Sequence, residues 1–94
     1  MIQIGKAIKV CRTQKNMKQA ELAELANISI SYLSLLERGK RDPTLSTIQS
    51  IVFALDIPFS ILMFLADEKT DLAKINLEVA EKLSYIALQV TRKK

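Results

Sequence analysis

The sequence predicts an all-α fold, and three observations carry this prediction. The chain has 94 residues, enough for one small domain with an appendage. It contains 2 glycines and 2 prolines, so long stretches run without a residue that breaks helices. Apolar residues recur along these stretches at the spacing of a helix.

The first predicted helix runs from residue 2 to about residue 16 and has an apolar face. Its apolar positions follow a helical period: Ile4, Ala7, Ile8 and Cys11. Asn16 and Met17 mark the break, and the second helix follows in QAELAELA, which is rich in residues of high helix propensity. Asn27 tolerates left-handed backbone and is predicted to end this helix.

Three further helices are predicted before residue 67. Ser29 is expected to cap the third by accepting a backbone N–H, and Gly39 is expected to end it. Thr44 is expected to cap the fourth, LSTIQSIVFALD. Pro58 suits the first position of the fifth helix, because its missing N–H would have no helical partner there, and FSILMFLA completes this helix. These helices make residues 1–66 one predicted domain.

Residues 67–94 form a second predicted unit, with the charged connector DEKTD and a helix from Thr70 or Asp71 to about Thr91. This helix shows a heptad seam with one polar residue: Leu72, Asn76, Val79, Leu83, Ile86 and Val90. The seam predicts a homodimer contact shared with residues of the fifth helix: Phe59, Leu62, Met63 and Phe64. Two alternatives are open, since the helix can also pack on its own domain or bind another protein.

Charge and composition narrow the function. The net charge is +4, and the first 55 residues carry eight lysines and arginines against four acids, whereas the rest carry six of each. This basic excess favours a polyanionic partner for the N-terminal part. One cysteine, Cys11, excludes an intramolecular disulfide and fits a cytoplasmic protein, and its apolar surroundings predict a small core residue.

Several other functions are disfavoured by the residues. The absence of histidine and of a cysteine pair predicts no zinc site, and we expect no cofactor. Asp56 and Pro58 interrupt the most apolar stretch, which falls short of the roughly 20 apolar residues of a spanning helix, so no membrane contact is expected. Glu37 as a catalytic acid lacks a second carboxylate, a nucleophile or a metal set, so the sequence predicts neither an enzyme nor a small-molecule substrate.

The stretch KQAELAELANISISYLSLLERGKRDP contains two predicted helices separated by residues 27–29, which is a helix-turn-helix arrangement. It resembles the Xre-family, lambdoid-repressor-like helix-turn-helix over residues 4–66. The matching features are Gln19, Leu22-Ala23, Ile28-Ser29 and the ending from Glu37 to Pro43. The resemblance implies a five-helix lambda-repressor-like domain, here with an added C-terminal helix, and sequence-specific binding to double-stranded DNA.

The resemblance also implies that the third helix lies in the major groove. Residues expected to face base edges are Ile30, Ser31, Tyr32, Ser34 and Leu35, while Leu33 and Leu36 face the core. Ile30 can contact a thymine methyl, whereas serine hydroxyls discriminate little between bases, so DNA shape and phosphate contacts contribute more. The alternatives are that Ile30 and Leu35 are packing residues and that Tyr32 is a packed ring with an exposed hydroxyl.

The remaining implied roles concern phosphates and the position of the third helix. Residues expected to contact phosphates are Lys15, Lys18, Gln19, Ser29, Arg38, Lys40 and Arg41. Gln19 is also expected to brace the third helix. Arg12 and Glu37 are expected to form a structural ion pair, with a secondary phosphate contact from Arg12.

Together these features predict a dimeric repressor that reads a palindromic operator, of the kind found in phages, mobile elements and restriction–modification controllers. The alternative is an antitoxin-like module whose C-terminal helix binds a partner protein and whose DNA binding is autoregulatory.

Overall fold

The computed structural model describes residues 3–74 and 76–82. Residues 3–66 contain five α-helices: α1 (Ile4–Gln14), α2 (Gln19–Leu25), α3 (Ile30–Glu37), α4 (Leu45–Leu55) and α5 (Phe59–Ala66). A 3₁₀ turn follows at Leu72–Lys74, and residues 77–82 are again helical. Within these ranges there is no strand, and the all-α prediction is confirmed.

The helix boundaries follow from local chemistry. Ser29 Oγ accepts the N–H of Tyr32 at 3.0 Å, and Thr44 Oγ1 accepts the N–H of Thr47 at 3.2 Å, so both predicted caps are confirmed. Pro58 is the N-cap residue of α5 rather than its first helical residue, one position earlier in the helix than predicted.

Residues with left-handed backbone end several helices. Asn16 and Asn27 have φ of 58°, Asp56 has φ of 56°, and Gly39 has φ of 73°. Short polar side chains and glycine adopt this conformation at low cost, which is why the chain turns at these points. The turns bring α1, α2 and α3 together within the first 37 residues.

The core lies between α1 and the helices that surround it. α1 packs against α3 and α5, and α2 packs against α3 and α4. The fully buried large side chains are Ile8, Leu22, Leu33, Leu36, Ile51, Leu55, Leu62 and Leu65. Cys11 is buried among them, as predicted; burial and, to a smaller extent, the Glu81 carboxylate raise the pKa of its thiol to about 12.

α1 and α3 approach each other at Gly5. A Cβ built on Gly5 would overlap the carbonyl oxygen of Leu36 and would lie 3.2 Å from that of Glu37. Glycine therefore sets the distance between α1 and the C-terminal end of α3.

The C-terminal segment (residues 76–82) differs from the predicted helix. The helix begins at Leu77, not at residue 70 or 71, and Asn76 caps it by accepting the N–H of Val79 at 3.2 Å. Thr70 does not begin this helix. Its hydroxyl donates to the carbonyl of Phe64, near the end of α5, at 2.9 Å. The predicted heptad seam is therefore wrong at Leu72 and Asn76, which precede the helix.

This segment packs on α1. Leu77 is 3% exposed, its N–H donates to Gln14 Oε1 at 2.6 Å, and Lys15 Nζ lies 3.1 Å from Glu81 Oε1. The seam positions Leu83, Ile86 and Val90 lie outside the described residues.

In the described part of the chain, no single helix is long and apolar enough to cross a membrane. α4 and α5 together reach that length and composition, but the chain bends by 109° between them.

Candidate nucleic-acid interface

α2 and α3 form a helix-turn-helix whose inner faces are locked together. The turn between them is closed by the N–H of Ile28, which donates to the carbonyl of Ala23 at 2.9 Å. Leu22 and Leu33 are fully buried and Leu36 is 1% exposed. The core orientation predicted for Leu33 and Leu36 is confirmed, and the opposite face of α3 is directed away from the core.

That opposite face carries a mixed surface. Ile30 is 51% exposed and Ser31 is exposed, whereas Ser34 and Leu35 are half-buried. The alternative that Ile30 is a packing residue is therefore wrong. Tyr32 is half-buried and its ring packs against the core cluster, as in the alternative of a packed ring.

A buried ion pair fixes the C-terminal end of α3, as predicted. Arg12 Nε donates to Glu37 Oε2 at 2.7 Å, and Arg12 Nη2 donates to Glu37 Oε1 at 3.0 Å. The two residues are 9% and 6% exposed. Two parallel bonds from a planar guanidinium to one carboxylate restrict both side chains, so α3 is held in a fixed orientation on α1.

The same carboxylate also connects to α2. Gln19 Nε2 donates to Glu37 Oε1 at 3.0 Å, so the predicted bracing role of Gln19 is confirmed. Arg12 Nη1 donates to the carbonyl of Met17 at 2.8 Å, in the loop before α2. Sequence reasoning missed this contact because a backbone carbonyl leaves no side-chain signal.

The predicted phosphate-binding cations differ in their surroundings. Lys18, Lys40 and Arg41 are exposed, and the Arg41 guanidinium carbon lies 5.7 Å from the centroid of the Tyr32 ring. Arg38 is exposed, and its Nε reaches back to the carbonyl of Ser34 at 3.4 Å. Lys15 is partly covered by its ion pair with the C-terminal segment.

The hydroxyl of Ser29 has a structural role at the start of α3. Its oxygen accepts the N–H of Tyr32, while its proton is left to donate to an anion. Residues 29–41 therefore contain three features in succession: the exposed start of α3, its outward face, and the cations that follow it.

A comparison with known families decides the classification. The helix-turn-helix family model matches residues 8–62, which contain all of α2, α3 and α4, most of α1 and the first half of α5. The chain belongs to the helix-turn-helix family.

Three similar proteins show the resemblance in more detail. The immunity repressor protein of Bacillus phage phi105 is 40% identical over 60 residues, which is 64% of this chain. The restriction-modification controller protein C.AhdI from Aeromonas hydrophila is 34% identical, with a TM-score of 0.63 over 65% of this chain and 92% of that chain. The SinR protein/SinI protein complex contains a chain that is 34% identical, with a TM-score of 0.64 over 90% of this chain and 78% of that one.

The extent of these matches differs between relatives. The chain spans 42% of the length of the phage repressor, whereas it spans nearly all of C.AhdI. The matches to the phage repressor and to C.AhdI cover about two thirds of this chain, whereas the match to the chain of the SinR protein/SinI protein complex covers 90% of it.

The residues predicted to form a dimer contact fall into two groups. Phe59, Phe64 and Val79 are 40%, 58% and 51% exposed, and Met63 is half-buried. Leu62 is fully buried in its own domain, so its assignment to a dimer surface is wrong. It lies on the face of α5 that packs into the core, together with Leu65.

Among the described residues, the most exposed large apolar side chain is that of Phe53, which is absent from the predicted set. It is 86% exposed on α4. The sequence contained a signal for it, because Phe53 lies off the apolar stripe predicted for this helix, which is formed by Leu45, Ile48, Ile51, Val52 and Leu55. Leu45 is itself 61% exposed, so its predicted place on the buried face is wrong.

Proposed function

We propose that this protein is a transcription regulator that binds double-stranded DNA sequence-specifically, with α3 in the major groove. The observation that carries the proposal is the outward face of α3, which is presented by a fixed scaffold and followed directly by the exposed cations Lys40 and Arg41. A helix fits the major groove, and flanking cations neutralise phosphates.

The side chains on this face define a weak direct readout. Ile30 presents apolar area suited to a thymine methyl, and the hydroxyls of Ser31 and Ser34 can donate to or accept from several bases. DNA shape and the flanking phosphate contacts therefore supply much of the site preference.

The relatives support regulation rather than catalysis. Their names describe a phage immunity repressor and a restriction-modification controller. We assign the chain a repressor role of this kind, with a palindromic operator read by a homodimer, and a cytoplasmic location where its thiol stays reduced.

A second function concerns a protein partner. A chain of the SinR protein/SinI protein complex aligns with 90% of this chain, including residues beyond the helix-turn-helix. Because the alignment extends past the helix-turn-helix, it favours a regulator that binds DNA through α3 and another protein through its C-terminal part. Affinity purification followed by mass spectrometry tests it, and recovery of the homodimer without a second protein would contradict it.

The DNA-binding proposal is tested with a duplex from the promoter upstream of the protein's own gene. We expect fluorescence anisotropy to show binding that is stronger than to a shuffled duplex of equal length and that weakens steeply with salt. Equal affinity for both duplexes would contradict sequence-specific recognition.

Two matched variants distinguish a contact with base edges from a contact with phosphates. Ser31→Ala is expected to change the preference among operator variants by about threefold at one position, because it removes one hydroxyl hydrogen bond that discriminates only weakly between bases. Lys40→Ala is expected to weaken binding to all duplexes alike and to lower the salt slope by about 1. If Ser31→Ala weakens binding to every duplex equally, Ser31 does not contribute to sequence preference.

The homodimer proposal rests on the exposed aromatic residues of α5. Phe64→Ser is expected to shift sedimentation at micromolar concentration from a dimer to the 10.6 kDa monomer, because it removes apolar area from the contact. Leu25→Ser is the control, since Leu25 on α2 is 60% exposed, close to the 58% of Phe64. A dimer that survives Phe64→Ser and is lost in Leu25→Ser would place the contact elsewhere.

A further inference from the structure

We infer that Tyr32 is a positioning residue that holds the Arg41 guanidinium beside the first turn of α3, where it binds a DNA phosphate. The inference deepens the proposed function and rests on it. It changes the expected role of Tyr32 from a base contact to a platform formed by its ring.

The ring of Tyr32 is held in place from two sides. Its backbone N–H is bonded to Ser29 Oγ at 3.0 Å, which fixes the first turn of α3. The ring itself is half-buried and packs against the hydrophobic core. A ring anchored in this way has few rotamers available, so it can serve as a rigid surface for another side chain.

The backbone after α3 returns Arg41 to that ring. Gly39 adopts a φ of 73°, and the N–H of Lys40 donates to the carbonyl of Leu35 at 2.9 Å. These features tie the turn to the last residues of α3. Two residues beyond Gly39, the Arg41 guanidinium carbon lies 5.7 Å from the Tyr32 ring centroid, within the range of a cation–π contact.

A ring contact leaves the N–H donors of a guanidinium free for an anion. Arginine has a long, flexible side chain, and ordering it on binding costs conformational entropy. A side chain that is already stacked on a ring loses less of this entropy when it binds a phosphate. Arg38 contrasts with it, because its Nε is turned back to the carbonyl of Ser34.

A double-mutant cycle on the full chain tests the inference with the promoter duplex. Tyr32→Leu removes the ring but keeps a large apolar side chain. It is expected to weaken binding about threefold, because the Arg41 side chain must then be ordered when it binds the phosphate. Tyr32→Phe keeps the ring and is expected to bind like the parent. In the Arg41→Ala background, Tyr32→Leu is expected to have no further effect.

Two results in this cycle would overturn the inference. If Tyr32→Phe loses as much affinity as Tyr32→Leu, the hydroxyl makes the contact. If the losses of Tyr32→Leu and Arg41→Ala multiply in the double variant, the residues act independently. Phosphate ethylation interference gives a readout that a purely structural role would not move: interference at one phosphate is expected to vanish in Arg41→Ala, to weaken in Tyr32→Leu and to persist in Tyr32→Phe.

NMR of the free protein separates this inference from the proposed function. The side-chain protons of Arg41 are expected to be shifted upfield by the ring current of Tyr32, in the parent and in Tyr32→Phe but not in Tyr32→Leu. Absence of this shift in the parent would overturn the inference even if the protein binds its operator. Presence of the shift without specific DNA binding would overturn the proposed function and, with it, the phosphate role of Arg41.

Discussion

Gly5→Ala is expected to destabilise the protein by about 2–3 kcal/mol, although alanine is the better helix former. Alanine gains about 1 kcal/mol over glycine inside a helix. Its Cβ, however, would overlap the backbone carbonyl of Leu36, and a carbonyl in a packed helix cannot move away as a flexible side chain can. Separating α1 from α3 would also strain the contact between Arg12 and Glu37. Chemical denaturation measures the change in the free energy of unfolding.

Gly39→Ala is the matched control for Gly5→Ala. A Cβ on Gly39 would meet no atom within 4 Å, but the residue has a φ of 73°. Its cost is therefore the conformational strain of alanine in left-handed backbone, about 1 kcal/mol. A Gly5→Ala variant as stable as Gly39→Ala would show that α1 and α3 are not in close contact at this position.

Arg12→Met is expected to cost about 3–5 kcal/mol of unfolding free energy, because it leaves the carboxylate of Glu37 buried without its counter-ion. Gln19 alone would remain to donate to Glu37 Oε1. The double variant Arg12→Met/Glu37→Leu is expected to recover much of the loss, since neither charge is then buried.

Lys9→Met is the control for the loss of a cation from α1. Lys9 is exposed, and its replacement is expected to change stability by less than about 0.5 kcal/mol. Equal stability of Arg12→Met and Lys9→Met, measured by denaturant titration, would show that the buried pair does not stabilise the fold.

Local signals were sufficient to predict much of the fold. Ser29 and Thr44 cap α3 and α4 through contacts within three residues of the chain, so each is readable from a short stretch. The apolar periods likewise indicated which faces of α1 and α4 are buried. Arg12 and Glu37 are 25 residues apart, and the resemblance to a known family was needed to pair them.

These local signals did not predict contacts between residues that are distant in the sequence. Nothing in the sequence near Leu77 indicates that its N–H meets Gln14, which is 63 residues away. The heptad spacing at Leu72 and Asn76 was misleading because an asparagine at the start of a helix caps it as readily as it joins a seam. The close approach at Gly5 depends on the packing of two helices, which a single sequence does not encode in a pattern.

We expect the outward face of α3 to lie in the major groove of duplex DNA. Intermolecular NOEs between the protein and its selected operator duplex test this most directly. We expect contacts from Ile30, Ser31 and Ser34 to thymine methyl and cytosine H5 protons, which line the major groove. NOEs confined to minor-groove protons, or contacts from α4 and α5 with α3 unperturbed, would contradict the account.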